Sequence, residues 1–129
     1  MKGKLLDTTA LIDLFRGNEK AADFIEKAHN AKIPLFISVI SAMELAAGCR
    51  NQIEVEKTKK ILADFSLIHL SPGATAKAYE LMLEYSKSHG LTIPDALIAA
   101  TALTEGIELA TDNDRHFIMI SDLIVKRPY

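Results

Sequence analysis

The sequence contains a single cysteine, Cys49, among its 129 residues. A lone thiol excludes an internal disulfide, and no cysteine–histidine cluster with zinc-ligand spacing accompanies it. The four histidines (His29, His69, His89 and His116) are scattered along the chain. No apolar run approaches the ~18 residues of a membrane helix, and the apolar stretch after Met1-Lys2-Gly3-Lys4 is too short for a secretory leader. A reduced, cytoplasmic setting without membrane association is therefore expected. Basic excess is missing as well. A formal charge of −2 and a pI of about 6.1 exclude the broad positive field on which non-specific nucleic-acid binders rely. Any contact with a nucleic acid would have to run through a local patch or through metal ions. Repeats, low-complexity tracts and linker-like segments are also lacking, so residues 1–129 read as one domain.

What is present is ordinary globular composition, 49% hydrophobic and 25% charged. A chain of this mass exposes roughly 20,000 Å² unfolded and about 7,000 Å² folded, enough burial for one core without staples. Short apolar runs alternate with longer stretches of helical period. The runs are Leu5-Leu6, Leu35-Phe36-Ile37, Leu67-Ile68-His69-Leu70, Glu108-Leu109-Ala110-Thr111 and Leu123-Ile124-Val125. Near-continuous apolarity predicts strands covered on both faces, as in a parallel sheet. Between them, Ala74, Ala78, Leu81 and Tyr85 line one helical face, opposite Lys77, Glu80, Glu84 and Lys87, with Gly90 suited to the C-cap. Val55, Thr58, Leu62 and Phe65 repeat the pattern, and a further helix is predicted from Glu19 to about Ala31. The expected fold is a three-layer α/β/α domain with a central, mainly parallel sheet.

The acidic residues fall at telling places. Asp7 follows the first apolar run and Asp112 and Asp114 follow the fourth. Glu44 lies in a predicted helix from Ser41 to Gly48, and Asp95 opens a helix beginning Ile93-Pro94. In a parallel sheet, strand ends and helix starts share the edge where ligands bind. Carboxylates gathered there raise one another's pKa or demand a cation, and oxygen donors alone suit Mg²⁺ or Mn²⁺. Each acid also has a plain structural reading. Ser41-x-x-Glu44 and Thr92-x-x-Asp95 are capping-box patterns, and Asp7 and Asp112 are competent caps.

Four blocks resemble PIN domains, especially VapC-type toxins. They are Leu6-Asp7-Thr8-Thr9-Ala10-Leu11-Ile12-Asp13-Leu14-Phe15-Arg16-Gly17, Ser38 to Gly48 around Glu44, Pro94-Asp95-Ala96-Leu97-Ile98-Ala99-Ala100-Thr101-Ala102, and Leu109 to Phe117 with its Thr111-Asp112-Asn113 step. They occur in family order and span nearly the whole chain. The resemblance implies a PIN-like fold and a magnesium-dependent ribonuclease leaving 5′-phosphate and 3′-hydroxyl ends. It also implies homodimers and a VapB-like antitoxin partner. Carried over residue by residue, Asp7, Glu44 and Asp95 match the principal acids. Asn113 occupies the family's polar position, flanked by Asp112 and Asp114. All three are candidates for the fourth place, with Asp112 nearest the strand end and Asp114 second. Asp13, six residues past Asp7, supports the site or is simply solvated.

Secondary candidates divide similarly. Thr8 and Thr9 either cap the first helix or order a metal-bound water, and Thr111 suits either task. Arg16, Arg50 and Arg115 each follow a motif and have the reach for phosphate oxygens, though any of them equally suits the surface. Cys49 reads as a small residue at a helix end, and His116 and Phe117 as packing or capping residues. The resemblance implies an apolar groove for a helical antitoxin segment, expected between the Glu19–Ala31 helix and the helix carrying Val55, Leu62 and Phe65. Phe24 and Ile61 mark it. Two rivals share the fold class. A phosphoacceptor receiver domain fits the length, and Lys126-Arg127-Pro128 is similar to its lysine–proline ending, but Asp7 stands without an acidic neighbour and Glu44 and Asp95 have no role there. A non-catalytic RNA- or protein-binding module is the other.

Overall fold

In the computed structural model, which describes Gly3 to Tyr129, strand β1 (Lys4–Leu6) is the centre of a five-stranded sheet ordered β3-β2-β1-β4-β5. Met1 and Lys2, which begin the stretch weighed as a leader, lie outside the described residues. The other strands are β2 (Leu35–Ser38), β3 (Ser66–Ile68), β4 (Glu108–Ala110) and β5 (Val125–Lys126), and every strand pairing is parallel. Six helices connect them: α1 (Thr8–Phe15), α2 (Glu19–Asn30), α3 (Val39–Ala47), α4 (Gln52–Leu62), α5 (Pro72–His89) and α6 (Ile93–Glu105). The accessible surface, 7671 Å², is near the value expected from mass alone.

Consecutive residues of a strand face opposite sides, which explains the unbroken apolar runs. Leu5 and Leu109 enter the core layer under α5 and α6, with Leu81, Tyr85, Ile98 and Phe117. Their neighbours Leu6 and Ala110 enter the other layer, with Leu11, Ala28 and Leu45. The expected three-layer α/β/α architecture is thus present. The predicted stripe Ala74, Ala78, Leu81 and Tyr85 is buried, and Gly90 ends α5 at φ +69°, a left-handed conformation that favours glycine.

Four boundaries differ from expectation. Helix α4 ends at Leu62, so Phe65, expected on it, lies in the connection to β3, where it is buried. Strand β3 forms one residue early, and Leu67 is 44% exposed, as an edge strand permits. Strand β5 forms at Val125–Lys126, shifted toward the end of the predicted run. The Leu109 N–H donates to the Ile124 carbonyl and that of Thr111 to Lys126, and these bonds set its register. An edge strand covered on one side lacks the two-faced burial that would fix its position from apolarity alone. Helix α3 starts at Val39, because the Ser38 hydroxyl accepts the Ile40 N–H at 3.1 Å.

Strand order reverses at β1: the chain moves to β2 on one side and returns on the other as β4. Such a switch point opens a crevice at the carboxyl ends of the two central strands. Asp7 and Thr111 are the residues that follow β1 and β4 there.

Candidate active site

Asp7 leaves β1 in extended conformation and caps α1, its Oδ1 accepting the Thr8 N–H at 2.8 Å. Its Oδ2 accepts the hydroxyls of Thr111 at 2.7 Å and Thr9 at 3.2 Å. At 4% exposure, the carboxylate is fixed by three donors and aimed by the sheet edge. The cap of α1 is therefore Asp7 itself, and Thr8 and Thr9 are its first helical residues, against the capping role considered for them. The side chain of Thr8 is spent elsewhere. Its hydroxyl lies 2.8 Å from Glu44 Oε1 and 2.9 Å from the buried Ser41 hydroxyl. A carboxylate only accepts, so Thr8 donates to Glu44 and accepts from Ser41, a chain that sets the carboxylate's direction.

Glu44 is exposed and sits well inside α3, far past the first turn, so the capping-box reading of Ser41-x-x-Glu44 fails: Ser38 is the cap. Asp95 keeps half of its capping pattern. Thr92 Oγ1 accepts the Asp95 N–H at 3.3 Å, while the Asp95 carboxylate, 23% exposed, turns toward the other acids. Burial raises its pKa, and the charges of Asp7 and Glu44 push the same way, opposed by His116. His116 Nδ1 stands 3.6 Å from Asp95 Oδ2. Three acids distant in sequence therefore share one field at the crevice.

The fourth position separates among its candidates. Asp112 has a buried Oδ1 without a hydrogen-bond partner. Burial raises its pKa first, then the adjacent Asp13 carboxyl, with Asp7 adding and Arg127 opposing. Asp114 instead pairs with Arg127 at 3.1 Å, which holds its carboxyl below the usual range. The Asn113 N–H donates to Thr111 Oγ1 at 3.0 Å, so Thr111 braces both Asp7 and the loop that carries the candidates.

A cleft of about 750 Å³ opens from Thr8 and Glu44 along α1, α3 and α4, with Phe15, Arg16, Arg50 and Lys57 on its walls. Arg16 and Arg50 thus share this cleft with Glu44, and Arg50 is held by Glu54 at 2.9 Å. Arg115 is exposed on the turn and lies outside this cleft. A second cleft of about 520 Å³ lies between α2 and α4, where a groove was expected, lined by Ala22, Ile25, Ile61 and Phe65. Ile61 reaches both clefts. Phe24 points elsewhere, its ring edge-on to Tyr129.

A family profile described as PIN domain matches residues 4–123. The chain belongs to the PIN-domain family. The relative named Ribonuclease VapC10, from Mycobacterium tuberculosis, is 36% identical over 120 residues, covering 92% of this chain and 89% of the relative. Among solved structures, a toxin–antitoxin complex from Klebsiella pneumoniae superposes with a TM-score of 0.78 at 34% identity, covering 98% of both chains. VapBC2 from Rickettsia felis, bound to a DNA fragment from their promoter, gives 0.82 at 25% identity, covering 96% of this chain and 97% of that one.

In this PIN domain the lysine that suggested a receiver does not approach the acids: Lys126 Nζ reaches Glu108 Oε2 at 3.7 Å. Among the described residues, no three acids, histidines or cysteines stand close enough to form a ready-made metal cage, and none of the described helices is long and apolar enough to cross a membrane. The acids nonetheless fit a hard divalent ion. Mg²⁺ keeps several waters and binds proteins through one or two carboxylates, so a closed cage is not required. The unpartnered Asp112 oxygen and the mutual charge of Asp7, Glu44 and Asp95 supply the donors and the unbalanced field. Sequence reasoning read Ser41 only as a capping residue and missed its contact with Thr8; it also missed the Asp13–Tyr129 contact, whose partners are 116 residues apart.

Proposed function

We propose that this PIN domain is a divalent-metal-dependent endoribonuclease and the toxin of a toxin–antitoxin pair. The observation that carries this reading is the shared field of the carboxylates of Asp7, Glu44 and Asp95 at the switch-point crevice, with the His116 imidazole 3.6 Å from Asp95. Asp7 and Asp95 would hold Mg²⁺ or Mn²⁺, with Asp112, whose Oδ1 is buried and unpartnered, contributing a further oxygen. When bound there, the ion supplies charge neutralisation for the scissile phosphate and lowers the pKa of a water. Asp7, gripped by three donors, keeps a fixed position through turnover. Glu44 Oε1 is occupied by Thr8, which leaves Oε2 to orient a water and take its proton. Arg16 and Lys57, on the walls of the cleft that Glu44 also lines, offer cations to flanking phosphates. An acidic pocket on a chain of charge −2 needs such help to receive a polyanion.

The relative named Ribonuclease VapC10 supports ribonuclease chemistry, and the Klebsiella toxin–antitoxin complex supports an antitoxin partner. A helical segment of that partner fits the apolar cleft between α2 and α4, with Ile61 on its wall. Homodimers in the cytoplasm complete the reading. The test is purified protein with RNA. Cleavage in Mg²⁺ or Mn²⁺ that EDTA abolishes is the expected result. Undiminished cleavage by metal-free protein would falsify the metal mechanism, and absence of cleavage in either metal would leave a binding module instead.

A further inference from the structure

Strand β5 runs parallel to β4, so the residues after it emerge at the same sheet edge as Asp112. The Thr111 N–H, donating to the Lys126 carbonyl at 3.0 Å, fixes where that segment begins. Arg127 then forks onto Asp114, Nε to Oδ2 at 3.3 Å and Nη2 to Oδ1 at 3.1 Å. Two residues on, the Tyr129 hydroxyl donates to Asp13 Oδ2 on α1. The Tyr129 ring packs edge-on against Phe24 of α2, with centroids 6.4 Å apart and planes at 70°. Asp13 in turn lies within hydrogen-bonding reach of Asp112. Arg127 and Tyr129 thus tie α1, α2 and the turn after β4 together around the carboxyl whose Oδ1 is buried without a partner.

We propose that Tyr129 is a positioning residue of the metal centre, its hydroxyl holding Asp13 so that Asp13 in turn sets Asp112 for cation binding. This rests on the nuclease reading above. When both are ionised, two carboxylates in contact have no donor between them to fix their orientation. A hydroxyl donating to Asp13 Oδ2 restrains the rotamer of that carboxyl and withdraws charge from it. Packing against Phe24 holds the tyrosine ring independently of its hydroxyl. Tyr129→Phe therefore removes the donor and leaves the ring contact in place.

The full-length Tyr129→Phe protein, titrated with Mn²⁺ in the absence of RNA by calorimetry, should bind roughly tenfold more weakly than wild type. Its melting temperature should be unchanged, and its RNA cleavage should recover as Mn²⁺ is raised. In an Asp13→Asn background the same change should have no further effect on Mn²⁺ affinity, because the hydroxyl acts through Asp13. Affinities within about twofold of wild type, with or without a lower melting temperature, overturn the positioning role, since only a structural contact was lost. Additive losses in the Asp13→Asn background overturn it too. If wild type itself binds no Mn²⁺, the nuclease reading fails and this role with it. If wild type binds and the variant binds equally, only the role of Tyr129 is wrong.

Discussion

Replacing Thr111 by valine keeps the shape of a fully buried, β-branched residue and deletes one oxygen. That oxygen makes two bonds. It donates to Asp7 Oδ2 at 2.7 Å and accepts the Asn113 N–H at 3.0 Å. The first is charge-assisted and lies where water cannot easily replace it, so its loss should cost about 2 kcal/mol. The second leaves a half-buried amide unpaired and adds about 1 kcal/mol. For a domain of this size the unfolding entropy turns ~3 kcal/mol into a fall in melting temperature of about 10 °C. Calorimetry of metal-free protein at neutral pH measures it. Thr111→Ser, which restores the oxygen, should recover most of the loss. RNA cleavage by the valine variant should drop at least about tenfold, since a partner that orients a metal-holding carboxylate is gone. A valine protein melting within about 2 °C of wild type would refute the assignment of Thr111 as the brace between β1 and β4.

Asp7→Asn and Asp95→Asn should each reduce cleavage at least about a hundredfold while the metal-free proteins fold normally. Asp95 has a raised pKa in the fold, so the native state binds its proton more tightly than the unfolded chain does; that contribution is present in acid and lost as pH rises through the folded value. Asp95→Asn should therefore melt level with or above wild type at neutral pH, with the gain shrinking toward about pH 4; a loss at neutral pH accompanied by full activity would mean that Asp95 only caps α6. Thr8→Val removes the donor to Glu44 and should lower kcat about tenfold, with Thr8→Ser restoring it; equal activity of the valine form would show that Glu44 needs no such guide. Asp112→Asn should impair cleavage and Asp114→Asn should not, because Arg127 already occupies Asp114 at the surface; the opposite order would move the fourth acid to Asp114.

Much of this arrangement was readable from residue order because it rests on one-dimensional signals. Unbroken pairs such as Leu5-Leu6 and Leu109-Ala110 marked strands covered on both faces, and the fold sends each partner into a different core layer. Asp7, Glu44 and Asp95 stood out as acids near strand ends or helix starts, and the parallel topology brings them to one edge. Local chemistry was less legible. Ser41 read as the cap of the helix that carries Glu44, but the path of β2 makes Ser38 the cap and frees Ser41 to support Thr8. Edge strands β3 and β5 shifted because a single neighbour leaves their register to backbone bonds. Phe24 looked like a groove residue from its apolar neighbour Ile25, yet it meets Tyr129, a partner 105 positions away that no periodicity could reveal.

The placement of the metal tests the whole scheme most directly. A crystal of the wild-type protein soaked in Mn²⁺, with anomalous scattering recorded, should show a peak at the crevice between β1 and β4, about 2.1 Å from carboxylate oxygens of Asp7 and Asp95. The same soak of Asp95→Asn should lose or greatly weaken it. A peak away from these acids, or none at Mn²⁺ concentrations that support RNA cleavage, would contradict the assignment of Asp7 and Asp95 as the residues that hold the ion.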